Sequence, residues 1–287
     1  MKNVILVIKG FIMGIANIIP GVSGGTLALT LGIYEEFISS ISHFFKNIKE
    51  NIKFLVPVFI GMGLSILTMS NVISASLDHF PVPTALFFMG LVIGGIPMLV
   101  NKVNKTKEQK QVSSYIIMLI TFLTVMVLAF SNEIFGNGLG DINLNNISIG
   151  GYIILLLVGI VAAATMVIPG VSGSLVLMLL GYYKPIVDTI KDLTHFNNIV
   201  DNCLILIPFG IGVVIGIILI AKIIEWLLKK YEVKTYFGVL GFIFASVIAI
   251  PVSIYHEVDM AFDMPQAIIA LVLMVVGYLI GNKLGDK

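Results

Sequence analysis

The sequence predicts an all-α protein that crosses a membrane several times, and three observations support this fold class. Of the 287 residues, 58% are hydrophobic and only 11% are charged, whereas soluble domains carry about 25% charged residues. The mean hydropathy is +1.06. The apolar residues form long continuous runs instead of the alternating pattern of membrane β-barrels, so the membrane spans are predicted to be helices.

The apolar residues fall into six simple segments and two long ones. Each simple segment is long enough to span a bilayer as one helix, and each long segment is about twice that length. The simple segments cover residues 54–77, 84–100, 115–131, 204–228, 236–254 and 265–282, and the long segments cover 4–38 and 150–183. The first run continues without a small-residue cleavage site, so we expect it to be retained and not removed as a signal peptide.

Both long segments contain the hexapeptide Ile-Pro-Gly-Val-Ser-Gly, at residues 19–24 and 168–173. Proline and glycine interrupt a helix, and an interruption at membrane depth is tolerated only where protein or a cavity shields the freed backbone. Interrupted helices at corresponding positions of two halves indicate the binding site of a transporter. Each long segment is therefore predicted to be a broken helical hairpin.

The similarity between the two halves extends beyond the hexapeptide. Nine of the sixteen positions are identical between residues 19–34 and 168–183, and further along Pro57 matches Pro208. The sequence thus predicts two repeats, each with one broken hairpin followed by three transmembrane helices. The first repeat covers residues 1–149 and the second covers 150–287.

The distribution of lysine predicts the topology. If each hairpin enters and leaves on the same side, most lysines fall on one face, and the lysine-free connections 78–83, 132–149 and 255–264 fall on the other. By the positive-inside rule, both termini are then cytoplasmic and the two repeats have opposite orientations. The lysines on the predicted cytoplasmic face are Lys46, Lys49, Lys53, Lys102, Lys105, Lys107, Lys110, Lys229, Lys230, Lys234, Lys283 and Lys287.

The repeated motif is the predicted anion site. All seventeen basic residues are lysine, so an anion has to be held by lysine, hydroxyl or backbone N–H groups and not by a guanidinium. We expect Pro20 and Pro169 to begin the second half-helix of each hairpin, whose N-terminus attracts anions. The predicted phosphate-binding residues are Asn17, Pro20, Gly21, Ser23, Gly24, Gly25, Thr26, Gly170, Ser172, Gly173 and Ser174.

Alternatives to ligand binding exist at several of these positions. The small residues of the motif could instead serve close helix packing. Asn17 has no counterpart in the second copy, and it could cap backbone or contact the ligand. Glu35 and Glu36 end the first long segment and are candidate sites for a coupling proton or cation, or else a solvated interfacial pair. No residue spacing indicates a metal site, no cofactor is expected, and no basic face indicates nucleic acid.

The stretch from Gly14 to Ala28, with the second copy at 168–174, resembles the bacterial and archaeal polyprenyl-phosphate transporter family. This resemblance implies a flippase in the cytoplasmic membrane, and not an enzyme. Its partners would be the bilayer and undecaprenyl phosphate, which it returns to the cytoplasmic leaflet to recycle the carrier lipid of the cell envelope. Transport would proceed by alternating access around a midplane phosphate site. The alternatives are a secondary transporter or channel for a small soluble anion, and a membrane enzyme that acts on lipid phosphates.

Overall fold

The computed structural model describes residues 2–18, 23–106, 111–130, 142, 144, 148–171, 173–194, 198–257 and 264–285. These residues form α-helices and short connections, and no strand occurs among them. The helices of the first half are α1 (Lys2–Ile18), α2 (Gly24–Thr30), α3 (Tyr34–Ser42), α4 (Ile48–His79), α5 (Pro81–Lys105) and α6 (Val112–Ala129). The predicted all-α fold is confirmed.

The second half repeats this order of long and short helices. Its helices are α7 (Ile149–Val167), α8 (Gly173–Leu179), α9 (Tyr183–Thr194), α10 (Ile199–Lys230), α11 (Glu232–Glu257) and α12 (Met264–Gly285). Seven helices of the described chain are long and apolar enough to cross a membrane, namely α4, α5, α6, α7, α10, α11 and α12. The protein is therefore a multi-pass membrane protein.

The six simple segments correspond to six of these seven helices. Five of them lie wholly within one helix, while 115–131 extends past the end of α6 at Ala129. The helices are longer than the apolar runs because their polar ends continue beyond the apolar stretch; α4, for example, begins at Ile48. Hydropathy marks where a helix is apolar, whereas the backbone hydrogen bonds decide where it ends.

Both long segments are interrupted where the motif lies. In the first copy α1 ends at Ile18 and α2 begins at Gly24, and in the second α7 ends at Val167 and α8 begins at Gly173. With 19 residues, α7 has the length of a full crossing. The re-entrant path of the two hairpins, and with it the inverted orientation of the repeats, stays a prediction.

The expectation that Pro169 begins a half-helix is wrong. Pro169 lies in a turn, and the next helix begins four residues later at Gly173. Gly170 has a φ of +80°, which is the value for the third residue of a type II turn. Proline is common at the second residue of such a turn, the position of Pro169. The Pro-Gly pair therefore forms a turn, which delays the helix start.

The same helix pairs form in both halves. In the first half α1 packs on α4, and in the second α7 packs on α10. A Cβ atom added to Gly10 would lie 2.1 Å from the Val58 carbonyl oxygen, and one added to Gly159 would lie 2.3 Å from that of Phe209. These two contacts join equivalent positions of the two repeats. Glycine at this position lets the paired backbones approach closely.

The last helices of each half pack on the other half. α5 pairs with α12, and α6 pairs with α11. A Cβ atom added to Gly90 would lie 2.0 Å from the Met274 carbonyl oxygen, and one added to Gly277 would lie 2.1 Å from that of Phe87. The two halves are thus interlocked, and the main cluster of buried apolar side chains includes residues from both.

Candidate functional site

The two copies of the motif contact each other. The Ser23 hydroxyl donates a hydrogen bond to the Ile168 carbonyl oxygen (3.4 Å), and the Gly170 N–H donates to Thr26 Oγ1 (2.6 Å). Thr26 is 1% exposed. The tertiary structure therefore brings the two helix interruptions, which are far apart in sequence, to one place.

The start of α2 is capped from α1. The Gly24 N–H donates to Asn17 Oδ1 at 3.1 Å. Ser23 occupies the N-cap position in an extended conformation, but its hydroxyl makes no capping bond because it is directed to the second copy. Of the two roles open to Asn17, the structure shows the capping of backbone.

Close packing explains the glycines at two motif positions. A Cβ atom at Gly25 would lie 2.8 Å from the Val167 carbonyl oxygen. One at Gly170 would lie 2.5 Å from that of Phe242, and the φ of +80° favours glycine in addition. Both positions need glycine whether or not a ligand binds nearby, as the packing alternative predicts.

The helices after the two interruptions are short. α2 and α8 each have seven residues, so few aligned peptide dipoles add up at their N-termini. An anion at this place would depend mainly on hydroxyl and N–H donors. Of the remaining predicted residues, Gly173 and Ser174 begin α8, while Pro20, Gly21 and Ser172 lie outside the described residues.

An apolar cavity of about 480 Å³ opens beside the second copy. It runs along α11 from Phe242, which contacts Gly170, to Lys234, a distance of about 12 Å at 1.5 Å per residue. Its walls come from α6, α10, α11, the start of α3 and the second motif copy. The lining residues are Tyr34, Ile117, Thr121, Ile168, Pro169, Ile220, Ile223, Ile224, Leu227, Tyr231, Lys234, Thr235, Gly238, Val239 and Phe242.

The candidate coupling residues Glu35 and Glu36 have different surroundings. The Lys102 ammonium and the Tyr236 hydroxyl both donate to Glu35 Oε1, which joins α3 to α5 and α11. Glu36 is exposed and has no ion-pair partner in the described part of the chain. Glu35 is thus a bridge between helices, whereas Glu36 matches the solvated alternative.

The bridge keeps Glu35 charged. Burial alone would raise the pKa of this carboxyl, but the hydrogen bonds from Lys102 and Tyr236 and the charge of Lys102 outweigh burial and lower it below its ordinary value. α3 lies outside the seven candidate spans. At neutral pH Glu35 is therefore a carboxylate.

Two residues near the motif were not predicted from the sequence as part of the site. Lys9 is 8% exposed, and its ammonium donates to the Leu31 carbonyl oxygen, just after α2, at 2.6 Å. The Tyr34 hydroxyl donates to the Val167 carbonyl oxygen at 3.3 Å. Two features of the sequence could have identified these residues. Lys9 is a charged residue within an apolar run, and Tyr34 is identical in the two copies.

Comparisons with known proteins identify the family of the chain. A family model described as VCA0040-like, "Undecaprenyl phosphate translocase-like", matches residues 13–263. The chain belongs to this family. The matched region includes both copies of the motif and every residue that lines the cavity. The resemblance expected from the motif is therefore confirmed.

Two relatives cover most of the chain. It is 32% identical over 280 residues to the polyprenyl-phosphate transporter of Staphylococcus aureus, which covers 97% of this chain and 95% of the relative. It is 30% identical over 239 residues to the polyprenyl-phosphate transporter of Vibrio cholerae, which covers 78% of this chain and 70% of the relative. No solved structure matches the chain.

Proposed function

We propose that this protein flips a polyprenyl phosphate across the cytoplasmic membrane and so recycles the carrier lipid of the cell envelope. One observation carries the proposal: an apolar cavity opens beside the second motif copy, at Ile168, whose carbonyl oxygen accepts a hydrogen bond from Ser23 of the first copy. A lipid phosphate needs an apolar wall for its chain and hydrogen-bond donors for its head group. The names of the two relatives support the same substrate.

The isoprenoid chain is assigned to the cavity. Its walls are mostly isoleucine, leucine, valine and phenylalanine side chains, and Ile223 in the wall is 43% exposed. A chain bound there reaches the surrounding lipid sideways. This lateral access favours a lipid substrate over a small soluble anion, which would need a closed aqueous path.

The phosphate is assigned to the contact between the two copies. A bare phosphate in hydrocarbon is very costly. The Ser23 hydroxyl and the Gly170 N–H, which bond across the two copies in this structure, would turn to the phosphate and replace its water. Lys234, about 12 Å away along α11 at its predicted cytoplasmic end, would attract the phosphate after it leaves the motif. The proposed phosphate-binding residues are Asn17, Pro20, Gly21, Ser23, Gly24, Gly25, Thr26, Gly170, Ser172, Gly173 and Ser174.

Alternating access has to respect the interlocked halves. Rocking residues 1–149 as a rigid unit against 150–287 would pull α5 from α12 and α6 from α11. We therefore assign the motion to the motif-bearing helices α1, α2, α7 and α8. The pairs of α5 with α12 and of α6 with α11 would form the static frame.

Coupling is proposed to act through the bridge at Glu35. Glu35 is already a carboxylate, so a coupling cation or proton would compete with the Lys102 ammonium for this carboxylate. Loss of the ion pair would release α3 from α5. Glu36, exposed beside it, is the second candidate. The bridge also joins α3 to the end of α5 and the start of α11, which supports the predicted cytoplasmic placement of these lysine-rich ends.

Reconstitution in liposomes tests the proposal. The protein is inserted together with a fluorescent short-chain polyprenyl phosphate, and the fraction of label that an external quencher reaches is followed over time, with and without a pH gradient. We expect transport by the natural protein and a loss of at least about tenfold in the S23A/S172A variant, since one hydrogen bond to a charged group contributes about 1.5 to 3 kcal/mol and about 1.4 kcal/mol corresponds to tenfold. The G25L variant should also lose transport, because its side chain would force Gly25 away from the Val167 carbonyl oxygen.

Matched controls separate the site from general damage. The S70A/S113A variant removes two serines outside both motifs and should transport normally. E35Q should weaken the response to the pH gradient more than E36Q does. Normal transport by S23A/S172A would overturn the assigned site. Uptake of inorganic phosphate in the absence of polyprenyl phosphate would favour the soluble-anion transporter. Release of inorganic phosphate from polyprenyl phosphate would favour the enzyme.

A further inference from the structure

A second cavity, of about 430 Å³, lies on the other side of α10. It is formed by α10, the last residue of α3 and the residues that follow α3. Lys222, Trp226 and Lys229 line it at helical spacing, so they share one face of α10. Ile220 and Leu227 line the first cavity. They lie two residues before Lys222 and Lys229, respectively, which is about 200° around the helix. The two cavities are therefore separate.

The second cavity is positively charged. Lys46, Lys222 and Lys229 line it together with one carboxylate, Glu225, which leaves a net charge of +2 with His43 neutral. The carboxylate is already satisfied, because Lys229 Nζ lies 2.7 Å and His43 Nδ1 lies 3.2 Å from its oxygens. Within the described residues, Lys46 and Lys222 have no ion-pair partner. Two ammonium groups are thus available to an anion.

Aromatic side chains place this cavity at the level of the membrane interface. Trp226 lines it and is 52% exposed, and Phe45 at its rim is 78% exposed. The Trp226 ring packs edge-on against Tyr231, with the ring centroids 5.8 Å apart. Exposed tryptophan and tyrosine are typical of the headgroup region of a bilayer. Lipid headgroups are the anions that are concentrated at this depth.

We propose that the second cavity binds the headgroup of an anionic phospholipid, outside the transport path. Lys46 and Lys222 hold the phosphate, and the acyl chains lie along the exposed apolar side of α10. Basic pockets beside membrane helices recognise such headgroups. Because the cavity joins the end of α3 to α10, a bound lipid steadies the helix that also lines the first cavity. The inference requires only that the protein lies in a membrane, and not that it transports polyprenyl phosphate.

The only tryptophan of the chain reports directly on this site. The purified protein is placed in phosphatidylcholine nanodiscs that contain increasing fractions of phosphatidylglycerol with brominated acyl chains, and Trp226 fluorescence is recorded. Brominated phosphatidylcholine serves as the reference lipid. We expect brominated phosphatidylglycerol to quench at a much lower mole fraction. In the K46Q/K222Q variant the half-quenching fraction should rise about thirtyfold, the effect of two lysine contacts.

The K49Q/K53Q variant is the matched control. It loses the same charge from exposed lysines of α4 that do not line the cavity, so it should keep the preference for the anionic lipid. Both double variants change exposed lysines and should fold normally. The inference is overturned if the natural protein shows no preference, if both double variants lose it equally, or if millimolar inorganic phosphate alone abolishes the quenching. No polyprenyl phosphate is present, so the result is independent of the transport assay.

Discussion

At the scale of single residues, Gly170 combines two demands that no other residue type meets. Its φ is +80°, and an added Cβ would lie 2.5 Å from the Phe242 carbonyl oxygen. We expect G170A to lower the free energy of unfolding by at least about 1 to 2 kcal/mol from the left-handed backbone alone, with the close contact adding to this loss. Thermal unfolding in detergent measures the change.

Gly210 provides the control for this prediction. It lies within α10, and no atom lies within 4 Å of its added Cβ. G210A should therefore be neutral or stabilise the protein by about 0.4 to 1 kcal/mol, because alanine restricts the unfolded chain. Equal destabilisation by G170A and G210A would contradict the assigned role of Gly170.

At this scale the sequence predicted the two helix interruptions but not the contacts that each residue of the motif makes. The motif identified both helix interruptions, but its glycine, serine and asparagine side chains have several possible partners. Asn17 caps α2, and Ser23 contacts the other copy. Lys9 donates to the backbone carbonyl oxygen of Leu31. Because every residue has a backbone carbonyl, the sequence does not mark Leu31 as the acceptor. No pattern of side chains could have identified this partner.

At the scale of helices, the pair α5 and α12 depends on backbone contact. An added Cβ at Gly277 would lie 2.1 Å from the Phe87 carbonyl oxygen. We expect G277A to force the two helices apart and to cost about 1 to 3 kcal/mol, measured as a lower midpoint of unfolding in detergent.

The matched control for the helix pair is G63A. Gly63 lies in α4, and no atom lies within 4 Å of its added Cβ, so its replacement should leave the unfolding midpoint unchanged or raise it. A G277A protein as stable as G63A would show that α5 and α12 do not need this close approach.

Hydropathy predicted the helices themselves but not which of them pair. The apolar runs predicted six of the seven long helices, and α7 was contained in a predicted hairpin. The pairing of α5 with α12 and α6 with α11 crosses between the halves. In a membrane most helix surfaces are apolar, so composition does not distinguish a lipid-facing side from a helix-facing side.

At the scale of the whole molecule, the inverted repeat predicts that the two hairpins are followed by segments on opposite faces. A cysteine at Lys53 follows the first hairpin, and a cysteine at Asp192 follows the second. In a background with Cys203 replaced by serine, K53C should react with a membrane-impermeant thiol reagent only from the cytoplasmic side. D192C should react only from the outside.

K230C is the control for this labelling. Lys230 ends α10, which crosses the membrane from the segment that contains Asp192, so K230C should react from the cytoplasmic side. Labelling of K53C and D192C from the same face would show that the repeats are not inverted, whatever the substrate.

The sequence by itself determined the fold class, the approximate extent of the membrane helices and the two points where helices are interrupted. Composition and local backbone chemistry decide these features, because apolar runs of this length and Pro-Gly pairs act wherever they occur. Only the tertiary structure decided that the two interruptions meet, that the halves interlock and that an apolar cavity leads from the motif to Lys234. Such features depend on contacts between residues distant in the chain, which no local pattern encodes.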